Sequence, residues 1–257
     1  MRITKPILTF ALISLSVIFG SELSAQETIV PSHEGWTLLL KKNVQVNGLV
    51  DYKGFVKDKD ELDAYAQLLA DHPPSSQWTE EEQIAYWINA YNVFTVKLIV
   101  DHYPVKSIKD LNPTLAIPTV RSIWTKEWFQ IGEEDYSLDR IEHKELRRNF
   151  EEPRIHFAIN CASISCPVLR REAYEPDRLD DQLDKQARLF INDKTRNDTD
   201  SRNPRVSKIF SWFMGDFTKE QSIVDYLNQY AEPKLDAQVR LRFLEYNWDL
   251  NDSQGFN

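Results

Sequence analysis

Thr79-Glu80-Glu81-Glu82-Gln83-Ile84-Ala85-Tyr86-Trp87-Ile88-Asn89-Ala90-Tyr91-Asn92-Val93-Phe94-Thr95-Val96-Lys97-Leu98-Ile99-Val100 is the stretch that decides the fold. Thr79 followed three positions later by Glu82 is a capping box. The run from Ile84 to Val100 is apolar around most of its circumference, which predicts a helix buried at the centre of the protein. At ~100° per residue, Ile84, Ile88, Tyr91, Leu98 and Ile99 share one face with Asn92 and Thr95, and Asn89 borders it. A buried amide left unpaired costs about 1–3 kcal/mol. Asn89 and Asn92 therefore either brace neighbouring backbone or line a polar binding pocket.

Outward from this helix, the next informative stretch is Arg154-Ile155-His156-Phe157-Ala158-Ile159-Asn160-Cys161-Ala162-Ser163-Ile164-Ser165-Cys166-Pro167, which holds both cysteines of the chain. Ile155, Phe157 and Ile159 alternate with His156, Ala158 and Asn160, the period of a strand, and Cys161 continues the apolar face. A proline after Cys166 suits the first position of a helix. It would make Cys166 the N-cap, where free N–H groups and the helix dipole favour a thiolate. Cys166 is thus the expected nucleophile, with Cys161 as the alternative nucleophile or redox partner. The competing reading is a structural Cys161–Cys166 disulfide. His143, His156, Cys161 and Cys166 match no zinc spacing, so no metal or other cofactor is expected.

Around these two stretches the chain predicts helices near 35–44, 61–70, 178–192 and 218–230, and a short strand at 48–52. It also predicts a loose covering segment at 104–128, a strand-turn-strand from Trp128 to Tyr136, and a late strand from Val239 to Phe243. Ser137 can cap a helix over 138–150. On that helix Glu142 sits mid-way across the apolar side and His143 at its margin. A carboxylate there is paired, protonated or functional, and Glu142-His143 beside a thiol suggests an imidazole base oriented by an acid or amide. His156, sharing a face with Asn160, is a second base or a binding residue. His33, His72 and His102 read as surface residues, and Ile209-Phe210-Ser211-Trp212-Phe213 as core or a substrate platform. The expected architecture is a single α+β domain, its central buried helix packed on a mostly antiparallel sheet that includes Ile155 to Ile159 and Val239 to Phe243.

Arg2 and Lys5, an apolar run from Ile7 to Phe19 and a small-residue exit at Ser24-Ala25 form a signal-peptide pattern over residues 1–25, leaving 26–257 as one domain. The apolar run is shorter than the roughly 20 residues of a membrane span, so a periplasmic or secreted protein without a transmembrane span is expected. A net charge of −9 without a basic cluster argues against nucleic acid. Seven glycines in the whole chain disfavour a glycine-rich phosphate loop, and neither a Walker pattern nor a dinucleotide fingerprint appears.

Val50-Asp51-Tyr52, Ala85 to Asn92, Ser137 to His143, Arg154 to Leu169 and Tyr246 to Asn251 together resemble the bacterial family called domain of unknown function 547, in its order and over nearly all of the mature chain. Asn247 stands where the family pattern has an acid before the tryptophan. The resemblance implies kinship with papain-like and transglutaminase-like α+β folds and hence a thiol nucleophile, although the papain order places cysteine before histidine and here His143 precedes Cys166. The expected function is a cysteine-dependent hydrolase or acyltransferase acting on an amide or thioester of a small or peptide-like molecule. The alternative is a non-enzymatic envelope binding protein held by the disulfide.

Overall fold

Thr79 N–H donates to Glu82 Oε2 at 2.7 Å and Glu82 N–H to Thr79 Oγ1 at 3.2 Å, closing the capping box that starts α4, Glu80–His102. The computed structural model describes residues 29–114, 121–200 and 202–255; the signal segment expected over 1–25 lies outside them. Helix α4 is buried from Ile84 through Val96 and again from Leu98 to Val100. It is ringed by α1, Glu34–Asn43, α2, Tyr52–Lys57, and α3, Lys59–Asp71, on one side. On another it meets the hairpin of β1, Phe129–Ile131, and β2, Glu134–Tyr136. Phe94 stacks on Phe129 with centroids 3.8 Å apart and Trp87 lies 5.5 Å from Tyr136, so the central helix does rest on an antiparallel ladder, as its aromatic positions require. The chain is a single-domain α+β protein.

The segment after the hairpin begins as expected, with Ser137 Oγ accepting from Arg140 N–H at 3.1 Å. It does not continue as one regular helix. The α-turn α5, Leu138–Arg140, passes into a π-helical stretch, Ile141–Leu146, in which Arg147 N–H reaches back five residues to Glu142 O at 3.0 Å. Such wide turns cluster at functional sites.

The expected strand Ile155 to Ile159 is instead a single helical turn, α6, Ile155–Ala158, closed by Ile159 N–H to Ile155 O at 3.1 Å. The segment is buried on every side, so its alternation of apolar and polar side chains marks no solvent face and has no bearing on strand geometry. No helix starts at Cys166 either: Pro167 O accepts Asn160 Nδ2 at 2.7 Å, and the chain runs irregularly to Pro176. It is held there by α7, Leu179–Asn192, whose Gln182 and Gln186 donate to Ala173 O and Val168 O.

The late strand shrinks to β4, Arg242–Phe243, parallel to β3, Arg205–Val206, and shares no sheet with residues 155–159. Around α7 the short helices α8, Ile209–Trp212, and α9, Met214–Phe217, and α10, Ile223–Tyr230, build a second apolar cluster with Phe157 at its centre. Helix α10 starts at Ile223, with Ser222 as cap, later than the expected 218. The strand expected at 48–52 is reduced to bridges of Val50 with Val44 and Asp252. His33 is not a surface residue. It is buried with Nδ1 2.7 Å from Tyr65 OH, and burial pushes its pKa down to about 4.

Candidate active site

Asn92 projects from α4 onto the chain just before the cysteines: its Nδ2 donates to Ala158 O at 3.0 Å and its Oδ1 accepts Asn160 N–H at 2.8 Å. One amide thereby replaces the two backbone bonds that a neighbouring strand would supply. Asn89 does the same for Tyr174, accepting its N–H and donating to its carbonyl. Both asparagines are braces, and neither lines the cavity described below. Asn160 is also spent on backbone: its Nδ2 donates to Pro167 O and its Oδ1 accepts Ala162 N–H at 2.9 Å. Ala162 adopts φ +59°, a left-handed conformation that reverses the chain directly after Cys161. The segment 247–251 straps this turn, Ile164 N–H donating to Asp249 O and Ser165 N–H to Asn247 O.

The reversal brings the two cysteines together. They are free thiols with Sγ atoms 2.9 Å apart, and Cys161 N–H donates to Cys166 Sγ at 2.8 Å; the Cys161–Cys166 disulfide of the binding-protein reading is absent. Cys161 Sγ lies a further 3.2 Å from Tyr246 OH and 3.3 Å from Ser163 Oγ. These hydrogen bonds, that of Cys166 first, outweigh burial and hold the Cys161 thiol below its usual range. Burial and the neighbouring Cys161 push Cys166 well above. The helix start expected to activate Cys166 does not form, and the polar contacts gather on Cys161 instead. Burial keeps Tyr246 a neutral phenol, as a donor must be.

Cys161 and Cys166 open on a cavity of about 560 Å³. Its wall is aromatic: Trp212 stacks on Trp248 at 5.9 Å, Tyr246 lies 4.5 Å from Trp248, and Trp124 closes the group at 5.3 Å. Phe213 adds to that wall, and Lys109 stands at the rim with Nζ 4.3 Å over the Trp248 ring. Glu142, His143 and His156 line the same cavity, so the structure gathers every residue that the sequence marks as catalytic.

Their connections differ from the expected chain of thiol, His143 and Glu142. His143 is exposed and bonded elsewhere, with Nδ1 2.7 Å from Arg147 Nη1 and Nε2 3.4 Å from Asp139, and no hydrogen bond joins it to either sulfur. Burial and the Arg147 charge lower its pKa against the pull of Asp139.

His156 is the imidazole that is held rigidly. Its Nε2 lies 2.7 Å from Asp216 Oδ2, its ring stacks on Phe213 at 3.9 Å, and Asp216 is gripped in turn by Arg147 through two bonds of 2.6 and 3.0 Å. Burial works to raise the Asp216 carboxyl, but His156 and Arg147 hold it well below the usual carboxylate range. With Nε2–H donated to Asp216, the buried Nδ1 makes no hydrogen bond and faces Glu142 Oε1 at 3.9 Å. Burial first, then the Cys161 charge, raises Glu142 to about 8, so it is largely a neutral acid at pH 7.

Sequence reasoning missed Asp216, Arg147, Ser163 and the role of Tyr246. Ser163 and Tyr246 carried a signal only as parts of family segments; Asp216 and Arg147 carried none. Among the described residues no group of three or more His, Cys, Asp or Glu could hold a metal ion, and no helix is long and apolar enough to cross a membrane. Residues 75–191 match the family model described as Protein of unknown function, DUF547. No curated protein and no solved structure matches the chain. The matched span contains α4, Glu142, both site histidines and both cysteines, whereas Asp216 and Tyr246 join the site from beyond it.

Proposed function

We propose that this protein is a cysteine-dependent hydrolase or acyltransferase acting on an amide or thioester, with Cys161 as nucleophile and Glu142 as the group that moves the proton. One observation carries the reading: a sulfur in polar contact with Cys166, Ser163 and Tyr246 opens on a ligand-sized cavity that Glu142, a buried carboxyl, also lines. The sulfur attacks the carbonyl carbon, the carbonyl electron pair moves onto oxygen, and collapse expels the amine or thiolate, which takes the proton of Glu142. The Glu142 carboxylate then removes a proton from water or from an acceptor nucleophile. Attack by that nucleophile on the acyl-sulfur bond releases product and restores Cys161 and the acid.

When the C–S bond forms, the sulfur gives up its charge, and the Tyr246 and Ser163 hydroxyls are freed to meet the developing oxyanion. Asp216 and His156 act behind Glu142, keeping a neutral imidazole against it. His143 positions Arg147, the cation that grips Asp216. The aromatic wall favours a small or peptide-like molecule with an apolar or aromatic acyl group, and Lys109 favours an anionic end at the rim.

The experiment is acyl trapping. A panel of aryl esters and thioesters with apolar and aromatic acyl groups is incubated with the full chain, and intact mass is followed. An adduct on Cys161, absent in Cys161→Ala and longer-lived in Glu142→Gln, supports the reading. Absence of any adduct, with alkylation of Cys161 no faster than in denatured protein, removes it. The protein is further proposed to be exported to the periplasm or medium after cleavage near Gln26, which the N-terminal mass of the exported protein checks.

A further inference from the structure

Acyl transfer asks nothing of Cys166 beyond one hydrogen bond, yet its sulfur stands 2.9 Å from the nucleophile, held by the Cys161 N–H and by the reversal at Ala162. We propose that Cys161 and Cys166 also act as a dithiol that reduces a disulfide carried by a small or peptide-like molecule, Cys161 attacking it and Cys166 resolving the mixed disulfide.

The geometry divides the two roles. Cys161 is partly exposed and makes the polar contacts with Ser163 and Tyr246, so it is the sulfur that an incoming disulfide meets. Cys166 is only 3% exposed, in the cavity wall directly beside Cys161. A resolving thiol needs that placement, because it must strike a sulfur already bonded to Cys161. The gap between the sulfurs exceeds the ~2.05 Å of a disulfide bond by about 0.9 Å, a closure within reach of side-chain rotation. The aromatic wall selects disulfides flanked by apolar or aromatic groups.

The Cys161 thiolate attacks one sulfur of R–S–S–R, that S–S bond breaks, and the first R–S⁻ leaves. Cys166 gives its proton to that leaving thiolate, attacks Cys161 Sγ and expels the second R–S⁻, which takes a proton from solvent. Two electrons pass from the protein sulfurs to the substrate disulfide. The products are two R–SH and a Cys161–Cys166 bond, in which state Cys161 no longer serves acyl transfer.

The probe is 5,5′-dithiobis(2-nitrobenzoate), an aromatic disulfide, added to the reduced full chain. The expected result is release of two equivalents of thionitrobenzoate, a protein mass lower by two hydrogens and no aryl adduct. Cys166→Ser should release one equivalent and keep the adduct on Cys161. A stable adduct on folded wild-type protein, adducts on both sulfurs, or no reaction at Cys161 while iodoacetamide labels it overturns the inference. If Cys166→Ser fails to fold, the wild-type mass decides alone. Acyl trapping is read separately: dithiol closure without acylation sinks only the acyl-transfer reading, and acylation without closure sinks only this one.

Discussion

The Tyr246 hydroxyl stands 3.2 Å from Cys161 Sγ, brought there from 85 residues downstream by the strap that pairs 163–165 with 247–250. A hydrogen bond to a charged group is worth about 1.5–3 kcal/mol. Removing it in Tyr246→Phe should raise the Cys161 pKa and slow its alkylation by roughly tenfold at neutral pH. The rate at high pH, where the thiolate forms regardless, should be little changed. An iodoacetamide rate-against-pH profile reads both limbs, and an unshifted profile would deny Tyr246 any part in activating the thiol.

Asn92 carries a stability prediction. Asn92→Leu keeps the side-chain volume close but leaves Ala158 O and Asn160 N–H buried without their partner. The expected loss is roughly 2–4 kcal/mol in urea unfolding. Because Asn160 feeds directly into the cysteine turn, alkylation of Cys161 should slow in the same variant at denaturant concentrations where it is still folded.

These two residues also show what could be seen in the sequence. The capping box at Thr79, the apolar circumference of α4 and the Trp128 to Tyr136 hairpin were legible because each is a local pattern, and buried asparagines announce themselves on a helix wheel. His156 reads as a strand residue because six residues buried on all sides alternate for no geometric reason. Cys166 reads as a helix start because Cys-Pro suits one, yet Asn160 and Gln186 fix the following chain in an irregular path. Asp216 has no signal at all: it is an acid inside the four-residue turn α9, and only tertiary packing puts it on His156.

Ala162 tests the turn itself. A left-handed non-glycine residue costs about 1–2 kcal/mol, whereas glycine removes that strain and adds unfolded-state entropy of comparable size. Ala162→Gly should therefore leave stability within about 1 kcal/mol of wild type. Ala162→Val, β-branched and fully buried at the same φ, should destabilise by several times that. Thermal unfolding of the two variants decides; equal losses in both would mean that the backbone reversal is not what the site depends on.

Glu142 gives the pH dependence. Its pKa stands near 8 in the folded chain against the 4.5 of an ordinary glutamate, with burial as the main cause, Cys161, Asp139 and Asp216 adding to it and Arg147 opposing. The folded state therefore holds a proton that the unfolded state has lost between those two values. By linkage, stability falls as pH rises from about 4.5 toward 8, and the full cost is bounded at about 5 kcal/mol above that window. Glu142→Gln, which is never charged, should remove this slope. It should be close to wild type in stability at pH 4 and more stable than wild type at pH 8.5. The same substitution removes the proton donor and acceptor, so turnover of any acyl substrate should fall by 10²-fold or more while the protein becomes more stable. Paired urea titrations at the two pH values, with acylation followed on the same preparations, test both signs. A variant less stable than wild type at pH 8.5 would show that Glu142 is a charged structural partner rather than a buried acid.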